Sequence, residues 1–199
     1  MTIKKFLIIS DTHIPDRADR IDPRIKSDIE GETPYDYVAF AGDFTCKEIL
    51  DWVLSLGKEV YYVRGNMDYL PLPKVRVFSI DDIRIGVHHG DGVYPRGNIK
   101  QLTMIARKLN VNLLVSGHTH SPFIKVSDDG TVLHVNPGSL TGVWGGGGGL
   151  MMPTYIKAYV TDNVIEFRVY LLEYTGLKIS ERTIYKWDGS KWILLRTFS

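Results

Sequence analysis

Asp11, His13, Asp43, Asn66, His89, His118 and His120 are the residues of this chain whose types and spacing can do chemistry. Each stands at the end of a short apolar run. FLIIS, YVAFAG, VYYVRG, IRIGV and NLLVSG lead into Asp11-Thr12-His13, Asp43, Asn66, His88-His89-Gly90 and His118-Thr119-His120. Two carboxylates, four imidazoles and one amide make a mixed oxygen and nitrogen donor set. With no thiolate among them, a structural zinc cage is not expected. With so much imidazole, Mn, Fe, Co, Ni or Zn fits better than Ca²⁺ or Mg²⁺. Seven donors exceed one tetrahedral site. They suit two ions that share a bridging carboxylate, about 3.5–4 Å apart as in two-metal hydrolases. Two aspartates leave two divalent ions with a positive surplus, which can hold an anionic phosphoester.

The elements must bring these donors together. Short apolar runs bounded by turn signals read as buried strands. In α/β sheets, ligands bind beyond the carboxyl ends of such strands. In an extended chain, residues i and i+2 point to one side, so Asp11 with His13, and His118 with His120, are each expected to present two donors to one ion. Up to about residue 140, strands alternate with helical patterns at Pro23–Glu30, Thr45–Ser55 and Asn98–Leu109, which predicts a mostly parallel sheet. Thr45 and Glu48 have capping-box spacing. After His120 the pattern turns to hairpins: PFIKVS with TVLHV, Met152–Thr161 with Val164–Leu172, and Arg182–Trp187 with Lys191–Thr197. This second half is expected to supply a second sheet. Gly145–Gly149 lacks both nucleotide-loop spacings and reads as a flexible loop.

Composition bounds the function. The 199 residues contain 44% hydrophobic and 24% charged side chains, a globular balance expected to form a single domain. A net charge of +1 gives no footprint for nucleic acid or an anionic membrane. No run reaches the roughly 20 apolar residues of a spanning helix, and the N-terminus does not read as a signal peptide. The one cysteine, Cys46, excludes an internal disulfide and fits a reducing cytoplasm; it is expected to be packed or idle.

The motifs Asp11-Thr12-His13, Gly42-Asp43, Gly65-Asn66-Met67-Asp68, His89-Gly90, Gly117-His118-Thr119-His120 and Asn136-Pro137-Gly138-Ser139 resemble those of the calcineurin-like metallophosphoesterases. Order and spacing are most similar to the small bacterial and archaeal phosphodiesterases, the branch that includes the retromer small subunit. The resemblance covers about residues 3–172; the hairpin at about 173–199 reads as an extension without a counterpart. It implies two packed β-sheets flanked by helices, an α/β/β/α sandwich. It further implies one metal held by Asp11, His13, Asp43 and His120, and a second by Asn66, His89 and His118 with Asp43 bridging. Two divalent transition-metal ions, Mn²⁺ favoured, would then present a bridging hydroxide to a small phosphodiester substrate. A catalytically weak protein-binding scaffold and a phosphomonoesterase are the alternatives, and a homo-oligomer is left open.

Two positions depart from the family pattern. Phosphatases of the superfamily often carry Gly-Asn-His-Asp/Glu, whose histidine assists the leaving group. Met67 stands there and cannot donate a proton, which favours diester over monoester chemistry. Asp91 replaces the second histidine of a His-Gly-His motif. Of the remaining polar residues, His88 should face away from His89, His134 reads as a structural histidine, and Asp68 either orients a neighbour or caps a turn. Asn136 and Ser139 are expected to hold the turn that closes the site. Arg17, Arg20, Arg64 and Arg96 read as surface charges, with Arg96 the nearest to a phosphate contact. Trp187 and Trp192 should pack against each other or a neighbouring subunit.

Overall fold

The computed structural model describes residues 2–198. Two sheets face each other. One has seven strands: β1 (Lys4–Ile9), β2 (Tyr35–Phe40) and β3 (Gly57–Tyr62), then β9 (Thr154–Thr161), β10 (Val164–Glu173), β11 (Gly176–Trp187) and β12 (Trp192–Phe198), in the order β12-β11-β10-β9-β1-β2-β3. The other has five: β4 (Val75–Ile80), β5 (Ile83–His88), β6 (Leu113–Ser116), β7 (Pro122–Val126) and β8 (Leu133–Pro137), in the order β4-β5-β6-β8-β7. Helices α1 (Pro23–Glu30) and α2 (Lys47–Leu54) cover the first sheet, and α3 (Ile99–Lys108) covers the second.

Period-2 alternation builds these layers. Phe6 and Ile8 of β1 face the core between the sheets, with Ile85, Val87, Leu113, Val115 and Val135 from the other side. Leu7 and Ile9 face the opposite way, onto Ile25 and Ile29 of α1 and Val53 of α2. Leu114, between Leu113 and Val115, meets Leu102 and Ala106 of α3. A strand buried on both faces must be apolar throughout, which is why these runs read so plainly. Lys157 of β9, 1% exposed, ties α1 to the sheet through Asp28 at 2.6 Å and Glu32 at 2.5 Å.

The layers match the α/β/β/α expectation, but the sheets do not divide at the middle of the chain. β9–β12 extend the N-terminal sheet through the β1–β9 antiparallel pair, and the second sheet is made of residues 75–137. Parallel pairing is confined to β1-β2-β3 and β5-β6-β8. All three expected hairpins form. A β10–β11 hairpin and strand β4 were not foreseen: β4 mixes exposed and buried residues without a long apolar run, and the first half of β11 is exposed or half-buried. The capping box at Thr45 does not form. Cys46 is the N-cap, without a side-chain bond; Thr45 has φ 65°, and its hydroxyl donates to Ile14 O at 2.6 Å. The bond to Ile14 O in the neighbouring loop claims Thr45 before the helix can use it.

Candidate metal centre

The structure brings all seven expected donors to one place, at the carboxyl ends of β1, β2, β3, β5 and β6. Asp11, His13, His89, Asp43 and His120 are buried at 0–2% exposure; His118 is half-buried and Asn66 exposed. His13 Nε2 lies 3.1 Å from His120 Nε2 and 3.3 Å from Asp43 Oδ2. Asp11 Oδ1 lies 3.3 Å from His120 Nε2. On the other side of Asp43, His89 Nε2 lies 3.4 Å from Asp43 Oδ2, 3.1 Å from Asn66 Oδ1 and 3.2 Å from His118 Nδ1. Asp43 Oδ2 therefore stands between two half-sites.

The extended-chain argument for Asp11/His13 and His118/His120 does not describe how they converge. All four adopt left-handed backbone, with φ 54°, 49°, 67° and 55°, and Asp43 has φ 61°. Non-glycine residues occupy that region at a cost, and such strain gathers at functional sites. Tight left-handed turns right after the strand ends aim the donors inward. Backbone hydrogen bonds fix them: Asp11 N donates to Gly42 O at 3.0 Å and His13 N to Asp43 O at 3.1 Å. Gly65 and Gly117 make room. A Cβ on Gly65 would stand 2.1 Å from Asp43 Oδ1, and one on Gly117 2.7 Å from Asp11 Oδ2.

A surrounding layer orients the donors. His89 Nδ1 donates to Ala41 O and His120 Nδ1 to Val143 O, both at 2.7 Å, which leaves each Nε2 as a lone pair facing the centre. Asp11 Oδ2 accepts from Ser10 Oγ at 2.7 Å and His118 N at 3.0 Å. Asp11 Oδ1 is buried without any hydrogen-bond partner. Asp43 Oδ1 accepts from Met67 N at 2.8 Å. Imidazole nitrogens and carboxylate oxygens thus converge on one buried point. A buried anionic cluster of this kind calls for cations, and the donor set fits divalent metal. Asp11-His13-His120 and Asp11-Asp43-His89 are two groups whose donor atoms lie within 4.8 Å of one another and could each hold an ion.

Electrostatics agree. Burial opposes ionisation of Asp43, but the His89 hydrogen bond and charge outweigh it and hold the carboxyl down at about 2. Burial likewise opposes charge on His89, yet Asp43 and Asp11 raise it to about 9. Burial, then the His89 and Arg96 charges, push His118 down to about 4. The centre stabilises positive charge where Asp43 and Asp11 face His89.

The remaining polar residues are placed as follows. His88 turns away and accepts from Gly90 N at 2.8 Å. Asp68 caps the turn: it accepts from the amides of Asp43, Thr45 and Gly65 at 2.7–2.9 Å. Asn136 holds Gly117 O and Gly138 N, and Ser139 Oγ donates to Asp11 O. His134 is buried against Thr103 Oγ1 at 2.8 Å. Arg17 is tethered to Trp144 O at 2.8 Å, and Arg20 lines a different surface recess. Trp187 and Trp192 pack together in the core between the sheets, centroids 5.4 Å apart. Burial pushes the Cys46 thiol up, away from a reactive thiolate.

The glycine run holds residues the sequence reading missed. Gly145 and Gly149 press on His120: a Cβ at either would come within 2.7 or 2.8 Å of its side chain. Leu150 N donates to His120 O at 3.1 Å, and Arg96 binds Gly145 O. Five consecutive glycines were the available signal.

The calcineurin-like phosphoesterase superfamily domain matches residues 5–158. A probable metallophosphoesterase of Methanocaldococcus jannaschii is 46% identical over 134 residues, 67% of either chain. One of Methanothermobacter thermautotrophicus is 41% identical over 137 residues, 67% of this chain and 76% of that one. Among solved structures, vacuolar protein sorting 29 of Cryptosporidium parvum superposes with a TM-score of 0.86 at 23% identity, over 94% of this chain and 100% of that one. That coverage cannot be reached without part of the segment after residue 172, so the fold likeness runs into the C-terminal hairpin. The Entamoeba histolytica counterpart complexed with Zn²⁺ has a TM-score of 0.80 and 30% identity, over 89% of this chain and 97% of that one. The chain belongs to the calcineurin-like phosphoesterase superfamily.

Proposed function

We propose that the protein is a phosphodiesterase that works with two divalent transition-metal ions, Mn²⁺ favoured. The observation that carries this reading is the position of Asp43 Oδ2, 3.3 Å from His13 Nε2 and 3.4 Å from His89 Nε2. Asp11, His13, His120 and Asp43 would hold one ion. Asp43, Asn66, His89 and His118 would hold the other. Bound there, the ions would activate water as a nucleophile at neutral pH and neutralise charge on the phosphoryl oxygens. Ala41 O and Val143 O keep His89 and His120 in the tautomer that offers Nε2. Ser10 and His118 N hold the Asp11 carboxylate in place. Half-buried Met67 follows Asn66 and has no proton to give a departing alkoxide, which supports diesters with good leaving groups over alkyl monoesters. The single cysteine goes with a cytoplasmic protein.

The rival reading, a scaffold kept for protein binding, draws on the likeness to the vacuolar protein sorting 29 structures. Seven convergent donors held on strained backbone favour the enzyme. Hydrolysis of bis(4-nitrophenyl) phosphate and 4-nitrophenyl phosphate by Mn²⁺-loaded protein separates the readings. The diester should be turned over and the monoester poorly. Equal rates would indicate a monoesterase, and no turnover of either a scaffold.

A further inference from the structure

We propose that Arg17 and Arg96 are positioning residues for the ion that His120 would hold: they clasp the glycine loop on which that imidazole is seated. The proposal rests on the metal-centre reading and adds what keeps the seat in place.

His120 takes its orientation from residues 143–150. Its Nδ1 donates to Val143 O at 2.7 Å, and its carbonyl accepts from Leu150 N at 3.1 Å. Gly145 and Gly149 lie so close that a Cβ on either would come within 2.7 or 2.8 Å of its side chain. Gly146 and Gly148 take the left-handed region, with φ 86° and 81°. The seat therefore favours glycine at Gly145, Gly146, Gly148 and Gly149 alike. Glycine loses more conformational freedom on ordering than any other residue and has no side chain to pack. Such a segment does not hold its own shape; it must be held from outside.

Two arginines do so. Apart from the two bonds with His120 itself, they supply the hydrogen bonds that tie residues 143–150 to the rest of the fold, among the described residues. Arg17 Nη1 donates to Trp144 O at 2.8 Å, and its guanidinium carbon stands 5.8 Å from the Trp144 ring centroid. Arg96 Nη1 donates to Gly145 O. A Cβ on Gly146 would stand 3.3 Å from Arg96 Nη2, so the guanidinium lies along the loop. The acceptors are successive carbonyls directly after Val143, the residue that orients His120. Each arginine is also anchored to a segment that carries a donor. Arg17 N donates to His13 O at 2.8 Å, and Arg96 Nη1 reaches His118 O at 3.4 Å. Hydrogen bonds from a charged donor are stronger than neutral ones. Both side chains thus have a task in the protein without substrate, which a phosphate contact would not give them.

The test titrates Mn²⁺ into metal-stripped wild type, Arg17→Ala and Arg96→Ala by calorimetry. Each variant should bind one equivalent about tenfold more weakly and the other within about twofold of wild type, the low end of the effect of residues that orient a ligand. Tm should stay within about 2 °C, since both side chains are exposed. Arg96→Lys keeps a cation that can donate to Gly145 O and should recover affinity to within about threefold of wild type. Unchanged affinity in either alanine variant would overturn the clasp, and a raised KM beside it would make that arginine a substrate contact. Equal weakening of both equivalents would also overturn it, because the effect would not pass through His120. If wild type binds no Mn²⁺, the metal-centre reading fails, and the Nδ1 proton of His120 in the NMR spectrum of metal-free protein decides the clasp. A slowly exchanging signal in wild type that is lost in Arg96→Ala upholds it. Absence of the signal from wild type, or its persistence in the variant, overturns it.

Discussion

Asp43 is the residue on which the centre depends most. Its Oδ2 faces histidines of both half-sites, whereas Asp11 Oδ1 has its shortest contact with His120. Asp43→Asn is therefore expected to lose both ions and to cut kcat by more than the roughly 10–100-fold typical of residues that merely orient a ligand. Asp11→Asn should retain one ion; paired metal counts and kinetics check the contrast. Met67 tests the leaving-group chemistry. Met67→His would place an imidazole where phosphatases carry one, and a positioned general acid contributes about 10²–10⁴-fold. Asp68 is held by three backbone amides, which fix its carboxylate on the turn and leave it little freedom to orient the new imidazole. The expected gain in monoesterase activity is below about 10²-fold, with a shallower dependence on leaving-group pKa across aryl and alkyl phosphates. At this scale residue types and neighbouring motifs picked out seven residues that converge in the fold, while their left-handed backbone was not legible. A φ of 49–67° at an aspartate or histidine follows from the strand ends and the neighbouring loops together, not from local sequence.

The Gly145–Gly149 loop separates into positions with different demands. Gly145→Ala would collide with the His120 ring, so it should lower metal content and turnover together. Gly147→Ser meets only the Arg96 side chain, at 3.9–4.0 Å, and should change kcat by less than about threefold. Similar losses in both variants would show that the loop acts as a whole. Strand β8 and helix α3 provide a second test through His134. Burial pushes this imidazole down to about 4. The unfolded chain takes up a proton near pH 6.5, and the folded one does not until about 4. The neutral form's contribution to stability is thus complete above about pH 6.5 and declines as pH falls toward 4. His134→Gln can still donate to Thr103 but does not titrate. The stability advantage of wild type over the variant should shrink by about 2 kcal/mol between pH 7.5 and 5, measured by urea unfolding. A constant difference would mean that His134 is not held neutral.

In the whole molecule, elements buried on both faces were the legible ones. β1, β2 and β6 are nearly continuous apolar runs because each packs on a sheet and on a helix layer. What sequence did not show was the partner of each strand. β9–β12 read as a separate all-β half, yet β9 pairs with β1, more than 140 residues earlier, through Phe6↔Ala158 and Ile8↔Ile156. Hairpin signals are local; the choice of sheet is a long-range packing decision. That choice matters for function, since β9 flanks β1 in the sheet whose β1, β2 and β3 lead into Asp11, Asp43 and Asn66. The central claim is that the two packed sheets hold a dinuclear centre. Elemental analysis of metal-stripped protein, dialysed to equilibrium against Mn²⁺, tests it most directly. The account expects two equivalents of manganese per chain; a plateau at one, unchanged by more metal, would contradict it.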